Sequence, residues 1–322
     1  MAASHIRTSI AVLCLLGFAL LALAWIFAPY LKALTMAAQA DHPAKTYPMP
    51  PRLERGMFAV DDWFVVAPIG HGTYAIGEPR YGQCNFSYLL VGDRRALLWD
   101  SGPGIRDISR VVSRLTKLPV IAMPSHLHFD HVGGLKYFSD VALPDVGDLR
   151  RRTIGGRLSL RRFEYLGLIE GLAPPTLHVS RWLKPGSEID LGNRRLEIVS
   201  APGHTDDSTV LLDERSGDLF TGDTIYPGNV WAFLPGTDLR AFRRTITNLA
   251  RRTRKRANLY GGHGCLGSDK MLTVPRLPPA ALVSLQSALD QALKRRLIIR
   301  LPYTVSSSQR IALDSKASWM AK

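Results

Sequence analysis

The feature that most restricts how this chain can fold is residues 126–131, His-Leu-His-Phe-Asp-His. His126 and His128 are two residues apart, so on an extended backbone both side chains leave the same side and can bind one metal ion. If the backbone then turns, Asp130 and His131 face a second ion a few Å away. A single histidine is more often a hydrogen-bonded residue of the core or surface, but this dense pattern favours a metal site.

Three further candidate ligands each follow a predicted strand and have a glycine beside them: His204 in Pro-Gly-His-Thr, Asp223 in Thr-Gly-Asp-Thr and His263 in Gly-Gly-His-Gly. An adjacent glycine lets the backbone approach a metal closely. Taken separately these motifs are weak, because a Gly-Asp pair after a strand is usually a turn. Imidazole with carboxylate suits zinc first, with iron, manganese or nickel as alternatives.

Residues 1–31 are expected to form an N-terminal membrane anchor or signal segment, because residues 10–28 are nineteen successive apolar residues. Such a helix spans about 28 Å, close to the hydrocarbon core of a bilayer. The alternative is a cleaved secretory signal that ends at the Ala-Gln-Ala of residues 38–40. The run is longer than a usual signal core and ends well before that site, which favours an uncleaved anchor and an exported, extracytoplasmic domain, periplasmic in a bacterium.

The remaining chain divides into a proline-rich linker at 32–57, a folded domain at 58–275, and a C-terminal helix and tail at 276–322. Predicted strands lie at 63–69, 72–76, 86–91, 96–100, 120–123, 195–200, 209–213, 219–221 and 258–260. Predicted helices lie at 105–117, 238–253 and 280–296, with a helical, arginine-rich insertion at 145–182. Two blocks of strands, each followed by helices, predict an α/β (α+β) domain whose two halves pack sheet to sheet.

In their order and context, these motifs resemble the metallo-β-lactamase superfamily over about residues 60–270. The resemblance implies a four-layer αββα sandwich with two metal ions, Zn2+ or alternatively iron or manganese, at one edge of its sheets. It implies a first ligand set of His126, His128 and His204, a second ligand set of Asp130, His131 and His263, and a bridging Asp223.

The aspartate at the bridging position narrows the resemblance. β-Lactamases of the superfamily typically have cysteine or serine there, whereas glyoxalase II-like thioesterases and lactonases have aspartate. Residues 81–86, 223–226 and 233–235 are similar to a branch that includes an acyl-CoA thioesterase. The resemblance also implies that Asp100 supports a ligand histidine, with a strand-end turn residue as the alternative.

Tyr226 lies where lactonases of the superfamily have a tyrosine that donates to the substrate's carbonyl oxygen. The alternative is an aromatic residue packed at a strand exit. Two cations that share a water lower its pKa and supply hydroxide near neutral pH. Asp130, Asp223 and Tyr226 are therefore the predicted catalytic residues of a hydrolase that attacks an ester, thioester or lactone carbonyl.

Other functions remain open: a nuclease or phosphodiesterase, a single-iron persulfide dioxygenase, a β-lactamase, or a membrane-tethered binding protein with a vestigial site. The net charge of +14 and the basic residues 251–256 would suit nucleic acid. The apolar N-terminus and the lack of a recognisable nucleic-acid domain disfavour that partner. The arginines of the insertion would suit an anionic small-molecule substrate, although a solvated face is the simpler interpretation. Cys84 and Cys265 could pair or be small buried residues.

Overall fold

The computed structural model describes residues 47–264 and 270–294, the backbone of 303–306 and 311–315, and isolated residues between 16 and 24. Most of the predicted anchor at 10–28, the Ala-Gln-Ala of 38–40 and Cys265 lie outside the described residues. Among those that are described, helices are too short or too polar to span a bilayer.

Twenty-one strands and five α-helices make up the described chain. The strands are β1 (Arg52–Leu53), β2 (Phe58–Ala59), β3 (Val65–Gly70), β4 (Thr73–Gly77), β5 (Phe86–Val91), β6 (Ala96–Trp99), β7 (Val120–Met123), β8 (Ala142–Pro144), β9 (Arg157–Ser159), β10 (Thr176–His178), β11 (Arg181–Leu183), β12 (Glu188–Asp190), β13 (Arg195–Ser200), β14 (Thr209–Asp213), β15 (Leu219–Gly222), β16 (Gly228–Ala232), β17 (Leu259–Gly261), β18 (Met271–Leu272), β19 (Arg276–Leu277), β20 (Tyr303–Ser306) and β21 (Ile311–Ser315). The helices are α1 (Ser109–Leu115), α2 (Phe129–Val132), α3 (Arg162–Tyr165), α4 (Leu239–Arg252) and α5 (Ala280–Lys294), with 3-10 turns at Gly133–Tyr137 and Gly167–Glu170.

Two six-stranded sheets dominate the fold, in the orders β2-β3-β4-β5-β6-β7 and β12-β13-β14-β15-β17-β19. Each sheet is antiparallel except for one pair of parallel strands. The parallel pair is β6 with β7 in the first sheet and β15 with β17 in the second. A helix connects the strands of each parallel pair, α1 in the first sheet and α4 in the second. The two halves therefore share one plan, as the sequence predicted.

Three apolar layers separate the four layers of secondary structure. Alternate residues of the first sheet, such as Val66 and Leu98, pack towards α1 and the insertion. Their neighbours Val65 and Leu97 face the second sheet and meet its Ile198. The opposite face of the second sheet packs against α4 and α5. This alternation is the period-2 pattern of strands buried on both faces, and it forms the predicted αββα sandwich.

Helix α4 shows why the second crossover folds as predicted. Oδ1 of Asp238 accepts the backbone N–H groups of Arg240 and Ala241 at 2.8 and 3.0 Å, which caps the N-terminus. Phe242 and Ile246 then repeat at helical spacing and are fully buried against the second sheet. The helix therefore needs both its local cap and its packing against the sheet.

The predicted helical insertion at 145–182 is wrong in its secondary structure. The segment contains the single turn α3, one 3-10 turn and the antiparallel pair β9–β10, while β11 pairs with β8 of the core. Glycines with positive φ occur at 147, 155, 156 and 171, and Pro174–Pro175 follows, so no continuous helix can form.

Ion pairs offset part of the positive charge of the insertion. Arg150 pairs with Asp145 at 3.0 Å, and Asp148 receives both Arg152 at 3.1 Å and Arg161 at 2.7 Å. The insertion is therefore a folded segment that stays positively charged overall but has three of its arginines paired with its own acids, which weakens the expectation of an anionic substrate.

Candidate metal centre

The first ligand set converges beyond the end of β7. His126 and His128 lie in the bend that follows that strand, with His128 itself extended, and His204 lies in the loop after β13. Nδ1 of His128 lies 2.8 Å from Nε2 of His126 and 3.1 Å from Nε2 of His204. The structure therefore brings these three candidate ligands together, although the segment that carries His126 and His128 is bent and not a straight extended stretch.

The second ligand set depends on the turn that the sequence required after His128. Helix α2 begins at Phe129, so Asp130 and His131 lie in its first turn. Oδ2 of Asp130 lies 3.5 Å from Nε2 of His131 and 3.4 Å from Nε2 of His263. His263 follows β17, in the loop that also holds Gly262.

Asp223 lies between the two sets. Its carboxylate oxygens approach Nε2 of His204 at 3.6 Å, Nε2 of His131 at 3.3 Å and Nε2 of His263 at 3.1 Å. All seven predicted ligands are buried. Ligand atoms of His126, His128, His204 and Asp223 lie within 4.8 Å of one another, as do those of Asp130, His131 and His263.

Backbone carbonyls orient two of the histidines. Nδ1 of His204 lies 2.8 Å from the carbonyl oxygen of Trp231, and Nδ1 of His263 lies 3.1 Å from that of Gln83. A carbonyl can only accept, so each Nδ1 must carry the proton, and Nε2 of each ring then faces Asp223. A cation bound there would be coordinated by the Nε2 lone pairs and by the carboxylate of Asp223.

Unpartnered polar atoms show that the donor set fits metal ions. Among the described residues, Nε2 of His131 and Oδ1 of Asp223 are buried without a hydrogen-bond partner, although they lie 3.3 Å apart. Leaving buried polar groups unsatisfied is costly, and cations coordinated by these atoms would remove that cost. Nitrogen with carboxylate oxygen is also the donor chemistry of zinc and related metals.

The histidine pKa values shift in opposite directions in the two ligand sets. Burial, together with neighbouring histidines, lowers the pKa of His126 and His128 well below the ordinary value, so these rings are neutral and can donate lone pairs. Burial also opposes charge on His131, but the carboxylates of Asp100, Asp130 and Asp223 outweigh it and raise the pKa of His131 well above its ordinary value. The surroundings of the second ligand set therefore carry more negative charge than those of the first.

Asn85 belongs to the site, although the sequence analysis gave it no role. Its Nδ2 donates to Oδ2 of Asp130 at 3.1 Å and to the backbone carbonyl of the same residue at 3.0 Å. The signal in the sequence was the motif at residues 81–86, of which Asn85 is part. The contact itself joins residues 45 positions apart and becomes visible in the fold.

Glycine is required at two of the ligand loops by close approach. A Cβ on Gly222, whose φ is +47°, would lie 2.3 Å from Oγ of Ser125. A Cβ on Gly262 would lie 2.8 Å from Cε1 of His131 and 2.9 Å from Oδ1 of Asp223. The glycines beside the candidate ligands therefore leave room for the ligands themselves.

Tyr226 packs its ring against His263, with ring centroids 5.1 Å apart. Its hydroxyl donates to the carbonyl of Asn229 at 2.8 Å and lies 3.3 Å from the backbone N–H of Trp231. The hydroxyl predicted to donate to a substrate oxygen thus donates to the neighbouring strand β16 instead. Its proposed catalytic role stays a prediction that requires this bond to break.

Comparison with known proteins agrees with the geometry. A family model described as the metallo-beta-lactamase superfamily matches residues 82–263. The acyl-coenzyme A thioesterase MBLAC2 of Gallus gallus is 30% identical over 194 residues, covering 54% of this chain and 70% of that protein. A probable metallo-hydrolase of Methanocaldococcus jannaschii is 28% identical over 214 residues, covering 59% and 92%.

Solved structures agree in fold. A metallo-beta-lactamase from Pontibacter korlensis aligns with a TM-score of 0.52 at 17% identity, covering 70% of this chain and 99% of that one. At this identity the likeness concerns the fold and not the substrate. With its sandwich, its seven buried candidate ligands and its matching family model, this chain belongs to the metallo-beta-lactamase superfamily.

Proposed function

We propose that this protein is a dinuclear, zinc-type hydrolase that cleaves acyl thioesters. The observation that carries the proposal is the position of Asp223, whose carboxylate contacts His204 on one side and both His131 and His263 on the other. One carboxylate shared between two buried ligand sets is an arrangement that suits two adjacent cations. The thioesterase named among the relatives supports the choice of bond.

Two ions bound by these ligands would lower the pKa of a shared water and polarise a carbonyl group. The chain's own residues prepare that chemistry. Asp130 and Asp223 offset the cations' charge, Asn85 fixes Asp130, and the carbonyls of Trp231 and Gln83 hold His204 and His263 in one tautomer. The buried ligands keep bulk water away, which strengthens every charge interaction at the site.

Thioester hydrolysis is proposed ahead of ester and lactone hydrolysis. The aspartate at position 223 supports all three bonds in preference to a β-lactam, and the thioesterase relatives favour the first. Phosphodiester cleavage is placed below these, because the ion pairs of Arg150, Arg152 and Arg161 leave less positive charge for a polyanion. The substrate proposed is therefore a small acyl thioester.

The experiment combines metal analysis with a substrate panel on the purified full-length chain. We expect about two zinc ions per chain, and turnover of thioesters above esters, lactones, a β-lactam and a phosphodiester. His128→Ala and Asp223→Ala should abolish hydrolysis with little loss of folded protein, whereas His178→Ala, an exposed histidine outside both ligand sets, should not. Undiminished turnover in either ligand variant, or one iron per chain, would contradict the proposal.

We also propose that residues 10–28 anchor the protein in a membrane with its folded domain outside the cytoplasm. The support is the sequence alone: nineteen apolar residues followed by a proline-rich linker. Full-length protein should resist alkaline extraction from membranes and keep its N-terminus, and removal of residues 1–31 should release it. Uncleaved protein in the soluble fraction would refute the anchor.

A further inference from the structure

The insertion contacts the turn that supports the second ligand set. Glu170, at the end of the 3-10 turn Gly167–Glu170, accepts the hydroxyl of Tyr81 in a short hydrogen bond. The side-chain amide of Gln83 approaches the other carboxylate oxygen of Glu170 at 3.5 Å. Tyr81 is buried and Glu170 is half-buried, so this contact lies beneath the protein surface.

The same turn continues to a metal ligand. The backbone carbonyl of Gln83 accepts from Nδ1 of His263 at 3.1 Å, the contact that fixes the tautomer of that ring. The N–H of Cys84 donates to the carbonyl of Tyr81 at 2.8 Å and closes the turn. Asn85 then pairs with His263 in an antiparallel bridge. A displacement of Tyr81 or Gln83 would therefore move the acceptor away from His263.

A second contact joins the insertion to the segment that carries candidate ligands of both sets. The ring of Tyr165 packs edge to face on Phe129, the residue between His128 and Asp130, with centroids 6.2 Å apart. Burial raises the pKa of Glu170 to about 7, and the negative charge of Asp130 adds to the rise. Glu170 thus lies within the electrostatic reach of the second set without contacting its ligands.

We propose that Glu170 is a positioning residue that couples the insertion to the second metal ion, through the turn at Tyr81 and Gln83 and the Nδ1 of His263. The inference rests on the proposed dinuclear function. Residues that orient a ligand from outside the coordination sphere commonly change metal affinity 10- to 100-fold. Glu170 acts one contact further out, so an effect of about tenfold on one of the two ions is expected.

The experiment is a zinc titration of the metal-free, full-length protein against a competing chromophoric chelator, which yields a dissociation constant for each ion. His126→Ala and His263→Ala identify the constants of the first and second sets. Glu170→Ala should weaken the constant that His263→Ala abolishes by about tenfold and leave the other within threefold. Glu170→Gln keeps an oxygen for Tyr81 and should recover most of the affinity, which also guards against misfolding of the alanine variant.

The matched control is Asp145→Ala, which removes an acid from the same insertion where it pairs with Arg150, away from the Tyr81 turn. It should leave both zinc constants unchanged. Wild-type constants in Glu170→Ala, equal weakening of both ions, or the same loss in Asp145→Ala would overturn the coupling while the dinuclear function stands. Binding of one ion by the wild type would overturn both.

Discussion

Oδ2 of Asp100 lies 3.0 Å from Nδ1 of His131, and both side chains are almost completely buried. The other oxygen of Asp100 accepts the backbone N–H of Ser125 at 2.6 Å, immediately before His126. Asp100 also has a φ of +60°, a conformation that non-glycine residues rarely adopt. One strained aspartate at the end of β6 therefore orients a ligand of the second set and holds the segment that carries the first.

Asp100→Asn should lower the affinity for the second metal ion about 10- to 100-fold, because the amide lacks the negative charge that orients the His131 ring. The change keeps the shape of the side chain, so the unfolding transition of the metal-free protein should move little. Zinc titration and kcat/KM for a thioester measure the effect. Asp62→Asn, at an exposed aspartate, is the control for loss of one negative charge. Wild-type zinc affinity in Asp100→Asn would show that His131 does not depend on this contact.

Gly262→Ala should abolish binding of at least one metal ion, because its Cβ would lie within 3 Å of both His131 and Asp223. The ligands must move apart to admit the methyl group. Gly171→Ala is a useful contrast, because φ there is +67° but no atom lies within 4 Å of the added Cβ. That variant should lose about 1 kcal/mol of stability and retain its metal. The number of metal ions bound per chain distinguishes the two variants. If Gly262→Ala binds as many ions as the wild type, the loop after β17 can move to accommodate the methyl group.

The sequence named the seven candidate ligands that the structure brings together, because their chemistry is local and unusual. Three histidines and an aspartate within six residues have few other uses, and the fold places His204, Asp223 and His263 at strand ends as the glycine motifs indicated. Strands buried on both faces and the capped helix α4 also follow from periodicity and capping. The ligand motifs, the buried strands and the helix cap each depend on residues that are close in the sequence, so they can be recognised from it.

Contacts between distant segments could not be predicted in the same way. Asn85 contacts Asp130, 45 residues away in the sequence, and Glu170 contacts Tyr81, 89 residues away. No periodic pattern in the sequence indicates either pair. The insertion is not helical as predicted, because apolar residues interleaved with arginines do not by themselves specify a helix. Its glycines at positive φ and its ion pairs instead stabilise short strands and turns.

Glu78 should give the protein a measurable pH dependence of stability. Burial raises the pKa of its carboxyl group from 4.5 to about 8, with a smaller contribution from Asp130, while Trp63 donates to it at 2.7 Å. Between these two pH values the unfolded chain releases a proton that the folded chain keeps. The free energy of unfolding therefore falls as pH rises through that window, by at most about 1.4 kcal/mol per pH unit.

Glu78→Gln removes this titration and keeps an oxygen for the Trp63 N–H. Denaturant unfolding of both proteins at pH 5, 6, 7 and 8 should show the variant gaining stability relative to wild type as the pH rises. Taking the difference between the two proteins cancels the contribution of groups that titrate in both. Parallel profiles would mean that Glu78 is already ionised in the folded protein at pH 5.

Tyr226→Phe tests whether this hydroxyl takes part in the reaction. Its proton is given to the carbonyl of Asn229, so the variant should keep kcat/KM for a thioester within about threefold and lose about 1 kcal/mol of stability. Loss of a donor to the developing oxyanion would instead lower kcat 10²- to 10³-fold. Tyr226→Ala also removes the ring packed on His263 and should weaken the second metal ion. A large fall in kcat for Tyr226→Phe with both metals bound would restore the catalytic role and show that the hydroxyl turns towards substrate during turnover.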